Sequence, residues 1–247
     1  MPTIVITGAS QGIGRAVALG YARAPQASGV RLALLARNVR NLEAVAAECR
    51  EAGAEAEVFA CDVTDGDQVA RASGEVLDRF GAPDILVNNA GVFVPGTFLE
   101  ITPEAFRSQI EVNLTSAFLV TQSFLPAMLA RGDAGASGAE ADASGDIVFM
   151  ASVASTRGYP GGAAYGAAKH GLLGLARTLR EETKSRGLRV ITVLPGATLT
   201  PSWEGVDVPP HRLMPPEAIA QAVVAATSMP RGAVVEEILI RPQEGDL

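Results

Sequence analysis

The chain has 247 residues, 48% of them hydrophobic, with 26 glycines, 15 prolines and a formal net charge of −7. That apolar content excludes a disordered chain, and the acidic balance argues against nucleic acid or an anionic membrane as the main partner. The two cysteines, Cys49 and Cys61, have neither a metal-ligand spacing nor a disulfide framework, so they are expected to be buried thiols.

From Met1-Pro2 the chain runs directly into an apolar stretch, Thr3–Thr7, with no charged leader before it. Further apolar runs predict strands at Arg31–Ala36, 57–60, Ile85–Asn88, 147–151, 190–194 and Glu237–Ile240. Between them, amphipathic stretches predict helices near 12–24, 40–52, 66–80, 103–130, 163–186 and 216–228. Strands that are apolar throughout and alternate with helices call for a parallel sheet covered on both faces. The expected fold class is therefore α/β: one doubly wound domain over residues 1–247 with a seven-stranded parallel sheet. Residues 132–145, GDAGASGAEADASG, break this rhythm and have nothing to bury, so a mobile surface loop is expected there. No uninterrupted apolar segment is long enough to span a bilayer, and the expectation is a soluble, cytoplasmic protein.

Chemistry is suggested first by two scarce residue types. The chain has only two lysines, and one of them, Lys169, follows Tyr165 by four positions. On a helix that spacing puts both side chains on one face. A cation about 6 Å from a phenolate, at an effective dielectric near 20, stabilises it by roughly 3 kcal/mol, or about two pKa units. The pairing is expected to depress the Tyr165 pKa and bring the phenol into acid–base range. A second signal is the turn Thr7-Gly8-Ala9-Ser10-Gln11-Gly12-Ile13-Gly14, which joins the first strand to the first helix. Glycines there let phosphates approach the backbone, and the helix N-terminus supplies free amides. Gly8-Ala9-Ser10-Gln11-Gly12 also fits the Gly-x-Ser-x-Gly elbow of serine hydrolases. That alternative needs a partner histidine, and His170 and His211 are poorly placed for the role.

Taken together, Thr7-Gly8-x-x-x-Gly12-Ile13-Gly14, Asp62, Asn88-Asn89-Ala90-Gly91, Asn113, Ser152, Tyr165-x-x-x-Lys169 and Pro195-Gly196 make the chain from residue 3 onward resemble the short-chain dehydrogenase/reductase family. The resemblance implies a Rossmann-type domain and hydride transfer from a nicotinamide to a ketone. Tyr165 would act as general acid, Ser152 would hydrogen-bond the carbonyl oxygen, and Lys169 would hold the nicotinamide ribose. Asn113 would anchor a relay water, or satisfy an irregular helix. The cofactor site it implies comprises Gly8, Ser10, Gly12, Ile13 and Gly14 at the phosphates, then Asp62 and Val63 at the adenine. Asn89, Ala90, Gly91, Pro195, Gly196, Thr198 and Thr200 complete it. NAD-specific members carry an acidic residue at the end of the second strand; here Ala36 is followed by Arg37 and Asn38, which favours NADP(H). Gln11, where many NADP-binding members are basic, moderates that preference.

The substrate side is expected around Tyr159, Arg157 and Gly162, under a short lid at 201–214 that holds the sole tryptophan, Trp203. Trp203 either stacks on a flat substrate ring or plugs the lid. The lid and the tail, Val235 to Leu247, resemble bacterial sepiapterin reductases, which reduce a pterin side-chain carbonyl with NADPH. The alternatives are a 3-oxoacyl-carrier-protein reductase, for which Arg157 and Arg212 form a thin basic patch, and a non-catalytic nucleotide sensor. The long helices and the last strand imply a homodimer or homotetramer, with a small-molecule carbonyl as substrate and no metal.

Overall fold

The computed structural model describes residues 1–24, 29–134 and 145–245. Strand β1 (Thr3–Thr7) shows why the apolar runs lack polar alternation: Ile4 and Ile6 enter one core while Val5 enters the other. The same holds for β2 (Arg31–Ala36), β4 (Ile85–Asn88), β5 (Gly145–Met150) and β6 (Leu188–Pro195). With β3 (Glu55–Ala60) and β7 (Glu237–Ile240) at the edges, they form one seven-stranded sheet in the order β3-β2-β1-β4-β5-β6-β7. Every pairing is parallel, for example Val5 with Ala33 on one side and Leu86 on the other. The α/β expectation holds, and strands β3, β5 and β6 each begin two residues earlier than predicted.

Helices α1 (Gly12–Arg23), α2 (Val39–Glu51) and α7 (Pro216–Thr227) fill the first core, built on residues such as Tyr21, Leu42 and Ile219. Helices α3 (Gly66–Phe80), α5 (Ser116–Ala134) and α6 (Ala163–Thr183) fill the second with Val76, Phe124 and Leu172. Chain order reverses between β1 and β4, so crossovers leave in opposite directions and open a crevice above the carboxyl ends of these strands.

The predicted helix 103–130 is two helices joined by an irregular turn. Helix α4 (Pro103–Ile110) starts on a Thr102 cap, and a π-helical turn, Glu111–Thr115, links it to α5. Asn113 Nδ2 donates to the Gln109 carbonyl at 3.0 Å, the acceptor an α-helical amide at 113 would use, so the helix widens there. Within the run Pro103–Gly132 an 18-residue window reaches a mean hydropathy of 1.3, long and apolar enough for a membrane span by length and composition only, and 44% of that window is buried inside the fold. Glu104, Arg107, Glu111 and Arg131 interrupt the run, and Val120, Phe124 and Met128 sit in the second core.

Of the expected loop 132–145, residues up to Ala134 belong to α5 and Gly145 opens β5; the remainder, and the tail beyond Gly245, lie outside the described residues. The base of the lid is closed by Leu199 N–H donating to the Met214 carbonyl at 2.8 Å and Met214 N–H donating to Ala197 at 2.9 Å.

Candidate active site

The glycine turn is built by close packing. A Cβ on Gly14 would lie 2.3 Å from the Gly8 carbonyl oxygen, so no other residue fits there. Asn89 Nδ2 donates to the Thr7 and Gly8 carbonyls at 3.0 and 3.2 Å, and the Thr7 hydroxyl accepts from Asn89 and Ala90 N–H at 3.0 and 3.1 Å. Asn89 therefore braces the turn. Helix α1 begins without a side-chain cap, since the Gln11 side chain makes no capping hydrogen bond, and its first turn carries Gly12 and Ile13 directly after Ser10. Uncapped amides at a helix N-terminus favour an anion.

At the next strand ends, Arg37 Nη1 stands 3.7 Å from Asp62 Oδ2, with the guanidinium side chain 71% exposed. Burial works to raise the Asp62 carboxyl, but two hydrogen bonds from Thr64 and the Arg37 charge outweigh it and hold it below the usual range. Val63 beside it is buried. Asn38 caps α2, its Oδ1 accepting from Asn41 N–H at 3.0 Å, so its side chain is already engaged.

Ser152, Tyr165 and Lys169 meet above β5. Ser152, at the end of that strand, accepts from Ala154 N–H at 3.1 Å and donates to the Pro195 carbonyl at a long 3.5 Å. Lys169 is 3% exposed; its Nζ donates to the Met150 carbonyl at 2.8 Å and lies 5.5 Å from the Tyr165 ring centroid. A Cβ on Gly91 would lie 2.8 Å from Asn113 Oδ1 and 3.5 Å from Lys169 Nζ, so the Asn88–Gly91 turn needs glycine to pass between them. The Asn113 amide is fully engaged, with Val92 N–H and carbonyl at 3.1 and 2.9 Å and with Gln109, which is the helix-satisfying role foreseen for it.

Burial bears on both members of the pair. Burial pushes the Tyr165 phenol above its ordinary value, and its side-chain hydrogen bond with Ser152 offsets part of that rise. Burial also brings Lys169 down to about 8. Burial therefore acts against the depression of the Tyr165 pKa expected from the pairing.

The substrate side contains residues that the sequence reading missed. Phe93 meets Tyr165 edge-on, with centroids 5.2 Å apart at 72°, and lies 6.2 Å from the Tyr159 ring. Its signal was an apolar triplet, Val92-Phe93-Val94, directly after the Asn-Asn-Ala-Gly turn, too short to register as a strand. Trp203 makes no ring contact among the described residues. It ends a short 3₁₀ turn, Pro201–Trp203, and lines a cavity of about 460 Å³ with Gly12, Arg15, Thr200 and Leu213. Thr200 packs over Gly12, whereas the Thr198 hydroxyl turns back to the Gly196 carbonyl at 3.0 Å. The Gly196 amide itself donates to Ile240 at 2.7 Å, tying Pro195-Gly196 to β7. His170 Nδ1 lies 2.8 Å from the Gly166 carbonyl, within its own helix, and offers the elbow serine no base.

The chain is similar to known proteins. The family described as short chain dehydrogenase matches residues 2–208. A sepiapterin reductase of Chlorobaculum tepidum is 38% identical over 249 residues, covering 99% of this chain and 97% of that protein. A 3-oxoacyl-[acyl-carrier-protein] reductase of Synechocystis is 33% identical, covering 94% and 91%. The solved structure of an alcohol dehydrogenase from Thermococcus sibiricus, complexed with 5-hydroxy-NADP, superposes with a TM-score of 0.87 at 33% identity, covering 98% and 97%.

Proposed function

Because the chain belongs to the short-chain dehydrogenase family, we propose that it is an NADPH-dependent carbonyl reductase with Tyr165 as general acid. The observation that carries the reading is the convergence of Tyr165, Ser152 and buried Lys169 beside the crevice at the β1–β4 reversal. Two features fit the cofactor: uncapped amides at α1, and exposed Arg37 following Ala36 where a carboxylate would repel a 2′-phosphate. A relative's complex with an NADP derivative supports the same choice. Gly12 and Ile13 would hold the phosphates, Arg37 the 2′-phosphate, Asp62 and Val63 the adenine, and Lys169 the nicotinamide ribose. Bound there, the cofactor supplies the hydride. Tyr165 Oη holds the proton that the carbonyl oxygen takes, and its raised pKa keeps that proton in place until negative charge develops. Ser152 Oγ turns from its long bond with Pro195 to the same oxygen and stabilises the alkoxide. The engaged Asn113 amide leaves only its main-chain groups to hold a relay water.

For the substrate, the aromatic wall of Phe93 and Tyr159 supports a ketone beside a flat ring, as in a pterin side chain, and the sepiapterin reductase relative points the same way. A carrier-bound 3-oxoacyl thioester is the second reading, favoured by the Synechocystis relative. It is weakened because Arg212, half of its expected basic patch, faces Glu244 at 3.4 Å. Exposed Phe106 and Phe118 on α4 and α5, and Leu239 on edge strand β7, support a homodimer or homotetramer, which sedimentation reads directly.

The test is NADPH and NADH oxidation with sepiapterin, a 3-oxoacyl thioester and simple diketones. Tyr165→Phe should lose about 10²- to 10⁴-fold in kcat/KM, the range of general acid catalysis. Turnover that survives in this variant sinks the mechanism; a thioester preferred over sepiapterin selects the second reading.

A further inference from the structure

Between β4 and α4 the chain runs through Val92-Phe93-Val94 without regular secondary structure. The peptide groups of Val92 and Val94 are nonetheless bonded on both N–H and carbonyl, as alternate residues of a strand are by a neighbouring strand. Two buried side-chain amides one helical turn apart take the neighbour's place. Asn113 clasps Val92. Gln109 clasps Val94: its Oε1 accepts from Val94 N–H at 3.2 Å, and its Nε2 donates to the Val94 carbonyl at 2.9 Å. Gln109 is 2% exposed although it belongs to a short surface helix. The residue held between the two clasps is Phe93, whose ring lies edge-on to Tyr165.

We propose that Gln109 is a positioning residue of the substrate pocket, fixing Phe93 against Tyr165 through Val94 and so setting the site's preference for carbonyls that carry a flat ring. The selectivity part rests on the reading of Tyr165 as the acid of a carbonyl reductase. Gln109 is the separable half of the device. Asn113 also bonds the Gln109 carbonyl and shapes the π turn, so replacing it disturbs the helix. The hydrogen bonds of the Gln109 side chain all go to Val94, which is 53% exposed, so water can satisfy that peptide once the clasp is lost. Loss of Gln109 should therefore loosen a wall and leave the fold standing.

The experiment has two arms. In the first, 4-fluorophenylalanine is placed at position 93 and its ¹⁹F resonance is recorded with wild type, Gln109→Met and Gln109→Glu. The expected result is one narrow line in wild type and a broadened or split line in Gln109→Met, which keeps the volume and loses both hydrogen bonds. Gln109→Glu should resemble wild type at low pH, where a protonated carboxyl both donates and accepts, and Gln109→Met at high pH. In the second arm, kcat and KM are measured for an aryl ketone and a small aliphatic ketone. Gln109→Met should lower the aryl-to-aliphatic ratio of kcat/KM by up to about tenfold, the upper end for an aromatic pair, through KM and not kcat. Phe93→Leu should do the same, and the double variant should do no more than Phe93→Leu alone. An unchanged fluorine line in Gln109→Met, or losses that add in the double variant, overturns the proposal. If wild type reduces neither ketone, the carbonyl-reductase reading fails, while the fluorine line still decides whether Gln109 positions Phe93.

Discussion

The two ends of the sheet treat buried charge in opposite ways. At the amino end, Asp146 near the start of β5 is fully buried and fully paired. Arg189 of β6 meets its two oxygens at 2.8 and 2.7 Å, and Arg231 adds a contact at 2.7 Å. Arg189 also donates to the Thr227 and Met229 carbonyls at 2.9 and 2.8 Å, so the connection from α7 to β7 is bolted to the sheet. Its bond to Asp146 raises the arginine pKa further. At the carboxyl end, Lys169 is equally buried, yet it has one carbonyl partner and no ion pair among the described residues. The contrast separates two uses of a buried charge. Complete pairing makes a rigid support, and incomplete pairing leaves a perturbed group with hydrogen-bonding capacity for a ligand.

The comparison breaks most visibly at Asp146. Asp146→Ala leaves Arg189 buried without a counter-charge, which should cost about 3–5 kcal/mol in urea unfolding while turnover per folded molecule is unchanged. Lost turnover at full stability would mean that the amino end also serves the chemistry. At the other end, Arg37→Asp should move preference from NADPH toward NADH by about tenfold to hundredfold, as a charge-assisted contact of about 1.5–3 kcal/mol is lost. Unchanged binding of both cofactors would show that the 2′-phosphate sits elsewhere.

The smallest effect is the sharpest test of the contrast. With only two lysines in the chain, ¹³C-lysine NMR gives two signals, which Lys184→Arg assigns. Lys169 should titrate near 8 against an ordinary 10.5. Between these values the unfolded chain binds more protons than the folded one, so the Lys169 contribution to stability rises with pH across that window. The thiols of Cys49 and Cys61, pushed by burial from 9.0 up to about 11, act in the opposite sense there, which is why NMR isolates the lysine and denaturation does not. An ordinary lysine pKa would remove the asymmetry between the two ends.

Much of the site was legible because its parts are local. The glycine turn, the Ala36-Arg37 strand end and the Tyr165–Lys169 spacing each lie within one turn or one helix, and the backbone places them with little outside help. Phe93 and Gln109 were not legible. Their roles depend on a contact fifteen positions apart, between Val94 in a loop and Gln109 on a helix, and a three-residue extended segment carries no periodic signal. Trp203 was visible, but its direction was not: the lid turns it toward Gly12 and Arg15 while the rings around Tyr165 come from Phe93 and Tyr159.

By itself the sequence determined the parallel α/β sheet, the family and the residues that gather at the strand ends, because hydrophobic period, glycine placement and helical spacing are properties of adjacent residues. Only the tertiary structure decided how those residues are tuned. Whether Lys169 lowers the Tyr165 pKa depends on how much water surrounds each group, and desolvation is a property of the packed fold. The π turn, the paired amide clasps and the Asp146–Arg189 bolt likewise exist only once distant segments have met.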